Sequence, residues 1–115
     1  MKMTVQSTVS LAEEVAFHLS QSAILLDKAK AERARDLNLF AGALESNFEL
    51  WTKIETIVNH EGCLLNRDAK DNLRRLAKFV SQKTFEGMEL SDRGLDTLVG
   101  INLQIAEGFL EGSSH

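Results

Sequence analysis

The residues that could carry catalysis are few in this sequence and stand far apart. His18, His60 and His115 are too widely spaced to form a recognised motif, and Cys63 is the only cysteine. Glu13 and the next residue, also a glutamate, point about 100° apart on a helix and do not share one metal or substrate. No metalloprotease, phosphate-loop or dinucleotide motif occurs. The sequence therefore predicts a protein that is not an enzyme, with no catalytic residue, cofactor or metal site.

Composition indicates the class of protein. The chain has 115 residues, 43% of them hydrophobic and 26% charged, with no proline, which is typical of one globular helical domain. A lone cysteine excludes an intramolecular disulfide and favours a reducing compartment. No run approaches the about 18 apolar residues of a membrane span, and the first ten residues lack the pattern of a secretion signal. We therefore expect a cytoplasmic protein without membrane insertion.

Apolar periodicity predicts an all-α fold, a small single-domain bundle of about four helices. We expect these helices at about residues 10–33, 36–59, 67–85 and 91–111. Within the single domain, 1–115, residues 1–9 are predicted to be an N-terminal arm and residues 112–115 a polar tail.

Polar residues at helix starts give the predicted boundaries. Ser10 and Glu13 have capping-box spacing, and Asp36, Asn66 and Ser91 can cap the later helices, with Asp68 as an alternative for the third. One rod over residues 10–58 would be roughly 74 Å long and could not bury two wide apolar faces in a small domain. A turn is therefore expected near residues 30–36, and a dimer that keeps the rod straight is the alternative.

Two asparagines lie where apolar residues are expected. The second helix has an apolar arc of roughly 200°, which includes Leu37, with Ala41 at one edge and Asn47 near its middle. Asn102 lies in the middle of the apolar stripe of the fourth helix. A buried amide costs stability unless it is hydrogen-bonded. We expect each amide to bond a loop backbone or the other amide across the core, which fixes helix register.

Two surfaces are candidates for partner binding. Phe17 and Ile24 lie on the polar side of the first helix, where a partner can contact them unless the arm or a loop covers them. The third helix has a basic face, opposite its apolar face, that we call the basic stripe. The basic stripe consists of Arg67, Lys70, Arg74 and Lys78.

The charge of the basic stripe allows three interpretations. Residues 66–85 hold six basic and two acidic side chains, net +4, and residues 86–115 hold one basic and six acidic, net −5. The plain interpretation is a solvated face partly compensated by an acidic fourth helix beside it. The alternatives are that the basic stripe binds an acidic protein partner or the phosphate backbone of RNA. In RNA binding, Arg75 would contribute a further positive charge. No aromatic residue interleaves the stripe, so stacking on bases has no platform.

Three runs share order and spacing with a known family. They are ALESNFELW at residues 43–51, DNLRRLAKFV at residues 71–80 and LVGINLQIAEGF at residues 98–109. Together they resemble the FlaF family of flagellar biosynthesis regulators, whose pattern includes Ala-Leu-x-x-Asn-x-x-Leu-Trp and a closing Leu-x-x-Ile-Asn-x-x-Ile-x-x-Gly-Leu. The matching signature residues are Asn47, Leu50, Trp51, Asn72, Phe79, Val80, Asn102, Ile105 and Gly108.

The resemblance implies a non-enzymatic accessory protein of bacterial flagellum biogenesis. It implies binding to a helical terminal segment of flagellin as an export chaperone or adaptor, promotion of flagellin production or secretion, and a functional link to the regulator FlbT. Two alternatives remain open: post-transcriptional control through flagellin mRNA held by the basic stripe, and a generic cytosolic helical adaptor. If the protein binds flagellin, Trp51 is expected to anchor the core, and Phe17, Ile24 and the basic stripe are expected to contact partners.

Overall fold

The computed structural model describes the backbone of residues 3–113 and the side chains of residues 11–111. Within residues 3–113 the chain forms an all-α bundle without strands. Its elements are the helices α1 (Met3–Glu32), α2 (Leu37–Asn59), α3 (Arg67–Phe85) and α4 (Asp92–Ser113), with a short 3-10 helix, Gly87–Glu89, between α3 and α4. The predicted all-α, four-helix fold is confirmed.

Side-chain caps begin three of the four helices. Asp36 Oδ1 accepts a hydrogen bond from the backbone N–H of Leu39 at 3.0 Å, and Asn66 Oδ1 accepts from Ala69 at 2.8 Å. Ser91 Oγ accepts from the backbone N–H of Gly94 at 3.0 Å. Each bond satisfies a backbone donor that has no partner within its own helix. These three caps were predicted from the sequence, and the turn before Asp36 excludes the straight rod.

Both ends of the chain are more helical than expected. Helix α1 begins at Met3 instead of Ser10, because residues 3–9 contain no glycine or proline to stop it, and the predicted arm is helical over residues 3–9. Helix α4 continues through Gly112 and Ser113, which were expected in the tail. The remainder of the predicted arm and tail, residues 1–2 and 114–115, lies outside the described residues.

Packing is uneven around the bundle. Helix α1 packs along α4 and against α2, and α3 packs against α2 while touching α4 at few points. Side-chain pairs set the directions: Lys30 meets Asp96 and Arg33 meets Asp92, so α1 and α4 are antiparallel. The molecule is elongated, with extents of 47 × 25 × 22 Å.

A polar network crosses the centre of the core. Asn102 Nδ2 donates to Asn47 Oδ1 at 2.8 Å, and Trp51 Nε1 donates to Asn102 Oδ1 at 2.9 Å. Asn102 Nδ2 also reaches the carbonyl oxygen of Leu19 at 3.3 Å, and Ser22 Oγ donates to Asn47 Oδ1 at 2.8 Å. Both asparagine side chains are fully buried. Of the two partners predicted for these amides, a loop backbone or the other amide, the structure shows the second. The network joins α1, α2 and α4.

Arg33 joins the α1–α2 turn to the start of α4. Its guanidinium lies over the Phe40 ring at 4.3 Å, donates to the carbonyl oxygen of Met88 at 2.6 Å and pairs with Asp92 at 3.5 Å. Gly87, with φ of 55°, turns the chain after α3 in a conformation that favours glycine. The loop between α3 and α4 is thereby held against α1.

The Lys30–Asp96 pair predicts a small stability effect at alkaline pH. The 2.7 Å hydrogen bond to Asp96 raises the pKa of Lys30 above its usual 10.5. The pair therefore stabilises the fold fully below pH 10.5 and loses this contribution as the pH rises through the raised pKa. We expect the Asp96→Asn variant to melt slightly below the wild type at neutral pH, with the gap closing at strongly alkaline pH. Circular dichroism melts across that range check this; a gap that stays constant would contradict it.

Candidate partner-binding surfaces

An open groove runs between α1 and α2. It has a volume of about 520 Å³ and contains the predicted contact residue Ile24, which is 62% exposed. Half-buried Leu25 and Leu50 also line it. The polar lining of this α1–α2 groove comes from His18, Gln21, Ser22, Lys28, Ser46, Glu49 and Lys53. Apolar residues between polar rims match the apolar stripe and polar flanks of an amphipathic helix.

Phe17 does not line the α1–α2 groove but contacts His18, which does. Its ring meets that of His18 edge to face, with centroids 5.5 Å apart, and Phe17 remains 58% exposed. The alternative was that the arm or a neighbouring loop covers Phe17 and Ile24, but both are exposed, and residues 3–9 of the arm continue α1 away from them. Both side chains thus stay available to a partner.

The basic stripe is exposed as predicted, although Lys70 is half-buried. Arg74 donates to Asn59 of α2 at 2.7 Å and pairs with Asp71 at 3.1 Å. Arg67, Lys70 and Lys78 form no ion pair within residues 11–111. Three cations of the stripe are therefore left for an external partner or for solvent.

The expected compensation of the basic stripe by α4 is wrong. Asp92 and Asp96, at the start of α4, pair with Arg33 and Lys30 of α1. The reason is packing: α4 lies along α1 and touches α3 at few points. Sequence charge alone does not indicate which helices are neighbours.

A third surface was missed by sequence reasoning. Phe85, at the end of α3, is 82% exposed, and its ring lies 6.3 Å from that of Phe48 on α2. A hollow of about 320 Å³ beside these rings is lined by Phe48, Ala41 and Met88, among others. Leu37 and Ala41 were expected in the core but are exposed, because the apolar arc of α2 is wider than its buried face. We call Ala41, Phe48, Phe85 and Met88 the Phe85 patch.

The α1–α2 groove and the Phe85 patch lie on opposite sides of α2. Ser46, Leu50 and Lys53 point to the groove, and Ala41 and Phe48 line the hollow. At 100° per residue these two sets are about 160° apart on the helix. Two partners can therefore occupy the two surfaces without contact.

The family signature residues divide between core and surface. Asn47, Trp51, Val80 and Asn102 are buried, which accounts for their types by packing and hydrogen bonding. Leu50, Asn72, Phe79 and Ile105 are half-buried, and Gly108 is exposed with open space around it. Only Leu50 of these residues lines the α1–α2 groove.

Ser22 and Gly94 are structural residues that sequence reasoning missed. Ser22 is buried and donates a hydrogen bond to Asn47. Its position among the buried leucines of α1 was the sequence feature that could have indicated its burial. A Cβ atom on Gly94 would lie 2.4 Å from Leu90 Cδ1, so any larger residue there would force the buried Leu90 side chain to shift. No local sequence pattern reports such a close approach.

The described residues indicate the general class of the protein. Among the residues described, no group of three or more histidine, cysteine, aspartate or glutamate side chains is placed to hold a metal ion. None of the helices described has the length and apolarity needed to cross a membrane. The structure is that of a small all-α protein with three distinct exposed surfaces.

The family follows from comparison with known proteins. The family model described as flagellar protein FlaF matches residues 3–109, so the chain belongs to the FlaF family and is a flagellar-related protein. The match includes α1 and the turn after it, beyond the residues 43–109 that carried the resemblance. Searches of curated proteins and of solved structures returned no match.

Proposed function

We propose that this protein binds a helical terminal segment of flagellin in the α1–α2 groove and acts as a non-enzymatic export chaperone in the cytoplasm. The observation that carries the proposal is the groove itself, with exposed Ile24 beside half-buried Leu25 and Leu50 in a member of the FlaF family. An amphipathic segment that folds on binding buries its apolar stripe there. The bound segment is withheld from assembly until secretion.

Charge and shape support a helical occupant of the groove. Lys28 and Lys53 provide positive charge at the rim and Glu49 provides negative charge, so a segment with mixed charges on its flanks is accommodated. The groove is open to solvent, which suits a segment that enters from the side. By this mechanism the protein acts stoichiometrically, one chain for each flagellin segment.

We expect the Ile24→Ser variant to lose flagellin binding by about tenfold to a hundredfold, because burying an isoleucine contributes about 1.5–3 kcal/mol. Isothermal titration of purified monomeric flagellin measures the change. Leu103→Ser on α4 is the matched control, since Leu103 is also an exposed apolar residue outside the groove. We expect this control to bind like the wild type.

Two outcomes would contradict the proposal. If wild-type protein retains no flagellin at micromolar concentration, the chaperone function is excluded. If flagellin binds but Ile24→Ser and Leu103→Ser behave alike, the α1–α2 groove is not the site.

A further inference from the structure

The basic stripe and Phe85 lie in one row along α3, with Phe85 about two turns beyond Lys78. Phe85 lies five helical turns after Arg67, so at 3.6 residues per turn both point in the same direction. Lys70, Arg74 and Lys78 fall close to the same line. The cationic part of the row is about 16 Å long and the row reaches Phe85 after about 27 Å, at 1.5 Å per residue.

Three of the four cations of this row have no ion pair within the described residues, and Arg74 pairs with Asp71. Arg67, Lys70 and Lys78 have no ion-pair partner within the described side chains, and the acids at the start of α4 pair with α1. By contrast Lys83, which is off the row, pairs with Glu86 at 3.1 Å and lies 5.7 Å from the Phe79 ring centre. The chain has a net charge of −4, so this row is a local exception to its overall charge.

The far end of the row is apolar and bordered by acids. Phe85 and Phe48 stand beside the 320 Å³ hollow, and Met88 is exposed next to it. Glu45 lines the same hollow and Glu89 follows Phe85 in the chain, while the charge of Glu86 is balanced by Lys83. A ligand suited to this surface is anionic over the stripe and apolar, without negative charge, over Phe85.

We propose that α3 is a second docking site, which binds an acidic protein segment whose apolar end anchors on the Phe85 patch. The charges decide between occupants. RNA carries phosphates along its whole length, and the acids around Phe85 repel the end of such a ligand. A second copy of this chain fits poorly. If two α3 helices pair antiparallel about residue 76, Arg74 of one copy lies opposite Lys78 of the other, and the two positive charges repel.

This inference does not depend on flagellin binding. The α1–α2 groove and the Phe85 patch lie on opposite sides of α2, so one chain can hold both partners at once. The protein then acts as an adaptor that links the occupant of the groove to an acidic segment of a second protein.

The test uses a designed peptide and the full chain. The probe is a labelled helical peptide of about five turns, with glutamates at three- and four-residue spacing and two leucines in the last turns. Fluorescence anisotropy at low salt measures its binding, against a scrambled peptide and a single-stranded RNA of equal charge. We expect the designed peptide to bind tightest and to weaken as salt is added, because its attraction to the stripe is electrostatic.

Matched surface variants locate the site. Lys78→Glu and Phe85→Ser are each expected to weaken peptide binding by about tenfold, the size expected from one lost charge pair or one lost apolar anchor. Arg93→Glu and Leu103→Ser on α4 make the same chemical changes elsewhere and are expected to change binding less than about twofold. Circular dichroism verifies that all four variants are folded.

Three results would overturn the inference. They are failure of the wild type to bind the designed peptide, equal binding of the scrambled peptide, and RNA binding that is tighter than peptide binding and unchanged by Phe85→Ser. Flagellin titration of the same Lys78→Glu and Phe85→Ser proteins keeps the two proposals separate, because these variants are expected to retain flagellin binding.

Discussion

Replacing Asn102 with alanine is expected to lower the free energy of unfolding by about 3–5 kcal/mol. The substitution removes the acceptor for Trp51 Nε1, which is then buried without a partner, and the donor to Asn47 Oδ1 and the Leu19 carbonyl oxygen. It also leaves a cavity in a fully buried position. A domain of this size has a total stability of about 5–15 kcal/mol, so the loss is a large share of it. Urea unfolding followed by Trp51 fluorescence measures it.

Asn47→Leu is the matched control for this prediction. Asn47 Nδ2 has no hydrogen-bond partner within the described residues, so its replacement by leucine removes an unpaired buried donor, which is favourable. The same substitution removes the acceptor Oδ1, which is unfavourable. Asn102 Nδ2 keeps the Leu19 carbonyl oxygen. The buried Ser22 hydroxyl loses its acceptor, so we expect a cost of about 1–2 kcal/mol, smaller than that at Asn102. Equal costs at the two asparagines would contradict the described bonding.

Trp51→Ala is expected to cost about 3–5 kcal/mol, through the loss of the largest fully buried side chain in the core. Trp51→Phe keeps a ring there and is expected to cost less, about 1–3 kcal/mol, mainly because Asn102 Oδ1 loses its donor. Circular dichroism replaces fluorescence as the probe, because Trp51 is the only tryptophan.

A double-mutant cycle isolates the bond between Trp51 and Asn102. Each single variant leaves one polar group without its partner, whereas the double variant with Trp51→Phe and Asn102→Leu removes both groups of this bond. The double variant should therefore lose less unfolding free energy than the sum of the two single losses, by at least about 1 kcal/mol. Strictly additive costs would show that the hydrogen bond contributes nothing beyond packing.

Local signals in the sequence were sufficient for the helices and for the polar core. Asp36, Asn66 and Ser91 cap helices where a side-chain oxygen three residues before a free N–H predicts them. Asn47 and Asn102 were recognisable because an amide in an apolar stripe requires a partner. The family and a flagellar role also followed from short runs on three helices.

Features that depend on how helices are arranged were not predictable in the same way. Asp92 and Asp96 of α4 pair with α1, because α4 packs along α1. Three of the four cations of the basic stripe are thereby left without an ion pair within the described residues. Arg33 gains its role from Phe40, Met88 and Asp92, which come together only in the folded chain. The exposure of Phe85 likewise depends on how α3 lies against α2, and an apolar residue at a helix end carries no signal of exposure.

Hydrogen exchange with and without flagellin tests the central claim most directly. If a flagellin helix occupies the α1–α2 groove, amides of residues 17–28 in α1 and 46–53 in α2 should exchange more slowly in the complex, because binding suppresses local opening there. Amides of residues 67–85 in α3 should exchange at unchanged rates. Slower exchange confined to α3, or no change anywhere under saturating flagellin, would contradict the proposed site and function.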